Sequence, residues 1–249
     1  MNLMTDVRDR VSILERELRE IFGSRLQSLV AYGLQTASPS GPRGQHGAHI
    51  EPPRTQTLAI VETLTGGDLT ACSARVERWH DAGLATPFLL AANEFDRSLD
   101  TFPLEFGAIL ADHLVVAGTN PFDGLRVDPA DLRRACEVQA RSHLLHLREG
   151  FLETRGRADA LAVLIVQSAA PFAALLASLA RLQGVATNDP AASGRHVERT
   201  LGLPGSAVTD VVTLAHVTEI PSAEATRIFP AYLDAVERLV KYIDAWTAK

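Results

Sequence analysis

The sequence predicts an α+β (α/β-like) N-terminal domain, with a mixed sheet of about four strands over residues 1–125. An all-α helical bundle is predicted over residues 126–249. Three observations carry this reading. Short apolar runs alternate with helical stretches up to about residue 125, which is the pattern of a layered sheet-and-helix domain. Beyond Asp128-Pro129 the apolar period is helical throughout and strand patterns stop. A chain of 249 residues that is 46% hydrophobic can bury a core in each part.

Val7, Val11, Leu14, Leu18 and Ile21 recur at steps of three and four, which predicts an amphipathic helix over about 6–22. Thr5 or Asp6 is its expected cap, and Gly23 its left-handed stop. Ser28 to Tyr32 is too continuously apolar for an exposed strand, so it should be covered on both faces. Residues 35–54 are rich in Pro, Gly, Ser and His and read as a long loop. A second strand is expected over Thr55–Val61, then a helix with Leu69, Cys72, Val76 and Trp79 inward, ending at Gly83. Pro87–Ala91 reads as a third, buried strand, Phe102–Leu110 as a helix, and His113–Ala117 as a fourth strand closed by Gly118.

In the second part, Asp128 caps a helix that accepts Pro129 at its first position, where the missing N–H has no partner to lose. That helix should run to about Thr154. Ala158–Gln183 forms the next; its stretch from Ala160 to Ala180 is uncharged but dominated by Ala and interrupted by Pro171, so it reads as the central helix of a bundle. Shorter helices are expected over about 194–202 and 206–217, and a last one over 223–248.

The net charge of −6 argues against broad binding to nucleic-acid backbones, which needs a basic surface. Cys72 and Cys136 lie far apart, each within an expected helix, and read as buried thiols of a reducing cytoplasm. The N-terminus lacks the basic-then-apolar pattern of a secretion signal, so a cytoplasmic location without a membrane is expected.

The order from Leu18 to Val61 bears on function. A helix ending Ile21-Phe22-Gly23 leads into a strand ending Tyr32-Gly33, and an apolar strand opens with Thr55-Gln56-Thr57. With an all-helical part following, this layout resembles the polymerase β-like nucleotidyltransferases of the two-domain aminoglycoside type. The resemblance covers about residues 10–64 by motif and the rest by architecture. It implies transfer of a nucleoside monophosphate from a triphosphate. In the family, Gly-Ser after the first strand holds the phosphates. Asp-x-Asp on the next strand, with a third acid later, binds magnesium, a hard cation that needs oxygen ligands.

Carried over by position, Gly33 keeps the glycine, Leu34 stands where serine is expected, and Thr55 and Thr57 stand where the two acids belong. The third strand carries no acid. Two hydroxyls cannot replace two carboxylates facing a dication. The expected function is therefore a nucleotidyltransferase-like protein without transfer activity. It would act by binding a nucleotide, a small anionic ligand or a protein partner around Gly33, Leu34, Thr55 and Thr57. No catalytic residue, metal ligand or cofactor is assigned. The alternatives are an active enzyme using Mg2+ on displaced acids (Glu51, Glu62, Asp68 or Glu94), and a subunit that completes a homo- or hetero-oligomer.

Two further constellations are weighed. His46 and His49 have a metal-compatible spacing but no third ligand beside them, and read as a solvated loop. Arg134, Arg141, Arg148 and Arg155 repeat every seven residues beside His143, His146 and Glu149. The stripe is either a solvated face held by ion pairs such as Glu137 to Arg141, or an anion-binding surface at Arg134, Arg141 and Arg148, since guanidinium forks suit phosphate and carboxylate. A Gly-x-Ser-x-Gly elbow, Gly-x-Gly-x-x-Gly and a Gly-Lys-Ser/Thr phosphate loop are all missing from the sequence.

Overall fold

The computed structural model describes residues 3–34, 54–95, 97–185, 187 and 189–246. The histidine pair at 46 and 49, and Glu51, lie outside the described residues. The chain divides into two compact units that meet in sequence between Val127 and Asp128.

In the first unit, α1 (Leu3–Phe22) buries Val7, Val11, Leu14, Leu18 and Phe22 and stops at Gly23, whose φ is +57°. The helix is already under way at Thr5 and Asp6, so neither caps it; Asp6 instead pairs with Arg10 at 2.7 Å. A 3-10 turn (Gly23–Arg25) leads into β1 (Leu26–Tyr32), in which Leu29, Val30 and Ala31 are fully buried. The other strands are β2 (Gln56–Val61), β3 (Phe88–Ala91) and β4 (His113–Gly118), in the order β3-β2-β1-β4. β1 runs antiparallel to β2 and to β4, while β2 and β3 are parallel. Parallel neighbours need a crossover, supplied here by α2 (Gly66–Ser73) and α3 (Val76–Asp81).

Both faces of the sheet are covered, as the continuous apolar run of β1 predicts. Leu29, Ala31, Ala59 and Val61 pack with α1, Trp79 and Leu84. Val30, Leu58 and Ile60 pack with Phe95, Phe106, Ile109 and Phe122, whose rings meet edge to face at 5.7 Å. Phe95 ends α4 (Ala92–Phe95), and Phe106 lies on α5 (Pro103–Ala111). Gly118 closes β4 with φ +76°, and a Cβ there would stand 1.9 Å from the Gln27 carbonyl oxygen.

Two further expectations are corrected in this unit. The helix expected through Leu69 and Trp79 is two helices, and Leu69 is 48% exposed. The reason is electrostatic. The Asp68 carboxylate takes a fork from Arg25 at 2.8 and 2.9 Å and completes a capping box with Thr65, so α2 turns Asp68 and Cys72 inward. The bonds from Arg25 and Thr65 hold Asp68 far below the usual carboxylate range. β3 is an edge strand with Phe88 39% exposed; it has a neighbour on one side only, so it is not buried as expected.

A buried carboxylate ties α1 to α3. Glu17 is 1% exposed and accepts from Trp79 Nε1 at 2.7 Å and Arg78 Nη1 at 2.7 Å, while Arg75 donates to the Glu17 carbonyl at 3.0 Å. Burial alone would raise the Glu17 pKa; the bonds from Arg78 and Trp79 outweigh it and leave the group below its ordinary value.

The second unit contains α6 (Pro129–Glu153), α7 (Ala158–Leu182), α8 (Pro190–Leu201), α9 (Ala207–Val212) and α10 (Ser222–Ala245). Asp128 caps α6 by accepting from Ala130 N at 2.7 Å. α8 starts earlier than expected, because Asp189-Pro190 repeats the Asp-Pro start, with Asp189 accepting from the N–H groups of Ala191 and Ala192. Gly194 lets α8 approach α9, since a Cβ there would stand 2.9 Å from Thr209 Cα. α7 is long and apolar enough to cross a membrane by length and composition alone. In this unit it is the helix on which α6, α8, α9 and α10 pack, with Ile165, Phe172, Leu175 and Leu176 buried. Cys72 and Cys136 are buried free thiols, and burial pushes Cys136 up to about 12.

Replacing Glu17 by Ala leaves the Trp79 N–H without its partner in the core. The Glu17→Ala chain is expected to lose about 2–3 kcal/mol in the urea-induced unfolding of the first unit.

Candidate functional site

The ladder between β1 and β2 pairs Tyr32 with Gln56 and Ala31 with Thr57. The end of β1, with Gly33 and Leu34 following it, therefore lies beside the start of β2, where Thr55 and Thr57 stand. Gly33 has φ +67°, and its N–H donates to the Asp112 carbonyl at 3.1 Å. Thr55 continues the parallel pairing toward β3: it bridges to Leu84, and its N–H donates to the Gly83 carbonyl at 2.9 Å. Tyr32 is half-buried, and burial together with the Glu105 carboxylate pushes its phenol upward.

Thr57 is 1% exposed and its hydroxyl has no hydrogen-bond partner among the described residues. Strand alternation puts Thr55 and Thr57 on the face of Ala59 and Val61, the face packed by α1. Leu34 is buried in that same core. Where the sequence resemblance leads one to expect a serine, an aliphatic side chain thus lies inside the fold.

A magnesium ion does not fit these residues. The Thr57 hydroxyl is closed off, Leu34 offers no ligand atom, and hydroxyls lack the charge that binds this dication. Among the described residues no group of three or more His, Cys, Asp or Glu is placed to hold a metal. Of the displaced acids, Asp68 is held by Arg25, and Glu94 accepts from Ala91 N at 2.8 Å. Glu62 is exposed beyond the end of β2, away from the Gly33 end.

Two residues at this end escape a reading by motif. Asp112 reaches it because β4 runs antiparallel to β1, so the start of one strand meets the end of the other, with His113 opposite Tyr32. His113 Nδ1 lies 3.1 Å from the Ile109 carbonyl, which can only accept, so Nδ1 carries a proton there. Arg54 stands exposed one residue before Thr55 and places a cation at the same end. The signal for Asp112 was topological, since it depends on which strand ends are neighbours, whereas Arg54 follows from its place directly before Thr55.

On α6 the arginine stripe meets carboxylates. Arg134 pairs with Asp131 at 3.3 Å, Arg141 with Asp244 at 2.7 Å and Glu137 at 3.5 Å, and Arg148 with Glu237 at 2.7 Å. Asp244 and Glu237 belong to α10, so the stripe bridges two helices, and an incoming anion would compete with those acids. His146 and Glu149 are exposed and 3.5 Å apart.

His143 turns inward instead. It stacks on Phe172 with ring centroids 5.0 Å apart, and its Nε2 lies 2.6 Å from the Tyr232 hydroxyl. The Tyr232 hydroxyl donates to Ser168 Oγ at 3.1 Å, and Ser168 donates to the Ile165 carbonyl at 2.8 Å. The last acceptor fixes every proton in the chain. Ser168 uses its hydrogen on the carbonyl, Tyr232 must donate to Ser168, and His143 Nε2 must donate to Tyr232. Burial, and then His146, lower the His143 pKa to about 4.

No family model and no curated protein matches the sequence. Among solved structures the chain is similar to the crystal structure of spectinomycin adenyltransferase AAD(9) from Enterococcus faecialis with ATP and spectinomycin. The TM-score is 0.56 over 93% of this chain and 98% of that one, at 8% identity. The chain shares the fold of that adenyltransferase structure, and it is the fold expected from the sequence: a four-stranded mixed sheet followed by helices.

Thr57→Val keeps the shape and removes an unpartnered buried hydroxyl, so it is expected to raise stability by about 1 kcal/mol in urea unfolding. A loss of stability would mean the hydroxyl has a partner. His143 binds its proton more weakly when folded (about 4) than when unfolded (about 6.5), so its contribution is complete above pH 6.5. That contribution, about 3 kcal/mol, is lost as pH falls from 6.5 toward 4. His143→Phe should flatten that part of the stability–pH curve.

Proposed function

We propose that this chain is a nucleotidyltransferase-like protein that binds a nucleotide at the Gly33 end of its sheet without transferring it. The observation that carries the reading is the chemistry of that end. Thr55 and Thr57 stand where the sequence resemblance expects two acids, Thr57 is buried, and Leu34 is buried where a hydroxyl is expected, which supports binding without transfer. AAD(9), the similar structure, is described with ATP. An anionic triphosphate approaching this end would meet the exposed Arg54 guanidinium, which donates to phosphate without needing a metal.

A second reading rests on Asp112, whose main chain bonds to Gly33 and brings one acid to the same end. One carboxylate with surrounding water is a weak magnesium site. An active transferase on this basis would show Mg2+-dependent binding and release of pyrophosphate.

Calorimetric titration of the full chain with ATP and GTP, in excess Mg2+ and in EDTA, separates these. Affinity equal in both conditions, and weakened at least about fivefold by Arg54→Ala, is the expected result. Binding only with Mg2+ favours the transferase, and no heat with either nucleotide overturns the nucleotide reading and points to a protein partner.

A further inference from the structure

The outer face of α6 carries large apolar side chains that nothing in the described chain covers. Val138 is 64% exposed, Leu145 62% and Leu152 75%. Single exposed apolar residues are ordinary on a protein surface. These three are spaced every seven residues on one helix, so they drift by only about 20° per step and form one continuous ridge. The core side of the same helix is filled separately by Cys136, Ala140, His143 and Leu147, so the ridge is additional to what the bundle needs.

The charges beside the ridge state what would cover it. Arg141 lies four residues before Leu145 and Glu149 four after it. Glu149 is 76% exposed and, among the described residues, pairs with His146 at 3.5 Å. Arg141 meets Asp244 and Glu137 through a single nitrogen, Nη2, so the rest of its fork points elsewhere, and its side chain is 53% exposed.

We propose that a second copy of this chain packs antiparallel along α6, with Leu145 on the two-fold axis. In that arrangement each residue before Leu145 meets the residue equally far after it in the partner. Val138 packs on the partner's Leu152, Leu145 on the partner's Leu145, and Arg141 faces the partner's Glu149. The ion pair occurs twice, once on each side of the axis, as an isologous interface requires. A parallel pairing would set like charges side by side and lose this match. The ridge from Val138 to Leu152 spans about 21 Å of the helix. One helix from each copy makes an interface at the small end of specific ones, so the dissociation constant falls in the micromolar range, about 1–100 μM. This inference is independent of the nucleotide reading.

The test is sedimentation equilibrium of the full chain across a concentration series. A concentration-dependent dimer is expected. Leu145→Glu should remain monomeric with an unchanged circular dichroism spectrum, since the side chain it replaces is exposed. Glu149→Arg should weaken the dimer by about tenfold, and Arg141→Glu combined with Glu149→Arg should restore it. Orientation is read with cysteines. Leu145→Cys should form a disulfide-linked dimer under mild oxidation, because the two copies meet at the axis. Val138→Cys should not, because its two copies lie about 21 Å apart along the helix. The native thiols, both buried, do not interfere. A monomer at every concentration, a dimer that survives Leu145→Glu, or cross-linking through Val138→Cys equal to that through Leu145→Cys would each overturn the proposal.

Discussion

The double pairing of β1 is the constraint on which the rest of the first unit depends. One seven-residue strand makes antiparallel ladders on both edges while both of its faces are buried. A slip of one residue would turn Leu29 and Ala31 away from α1 and move every pairing at its end. That register alone brings Gly33, Thr55, Thr57 and Asp112 to one place. The buried polar bonds around it protect the register from outside the sheet. Glu17 fixes α1 to α3, and Arg25 with Asp68 fixes the turn before β1 to the first turn of α2.

The second unit solves a different problem. Its apolar helices would pack in several registers if volume alone decided. The chain from His143 through Tyr232 to Ser168 is satisfied in one arrangement of α6, α7 and α10, and a half-made version would strand polar groups in the core. The ion pairs from Arg141 and Arg148 to α10 are exposed and individually contribute little. Their value lies in orientation, because they hold the arginines to one side of the Val138–Leu152 ridge.

Much of this was legible in the sequence, for identifiable reasons. Continuous apolar runs gave β1 and β2, Asp128-Pro129 gave the start of α6, and glycines at 23 and 184 stand at helix ends with positive φ. The positions Gly33, Leu34, Thr55 and Thr57 could be singled out because they are counted along the chain. What escaped depends on partners distant in sequence. Leu69 fits a helical stripe as well as Cys72 does, and only the Arg25–Asp68 bond, 43 residues apart, decides which faces inward. His143, spaced like a surface member of the His146 and Glu149 series, is buried because Tyr232 waits 89 residues away. Asp112 joins the candidate site through strand order, which no local pattern encodes.

The central claim is that the Gly33 end of the sheet binds nucleotide without metal. Hydrogen–deuterium exchange of the full chain, with and without ATP in EDTA, tests it most directly. Slower exchange is expected, confined to the segments around Tyr32–Leu34 and Arg54–Leu58, with the same pattern when Mg2+ is added. Protection that appears only with Mg2+, or that lies in the helical unit instead, would contradict it.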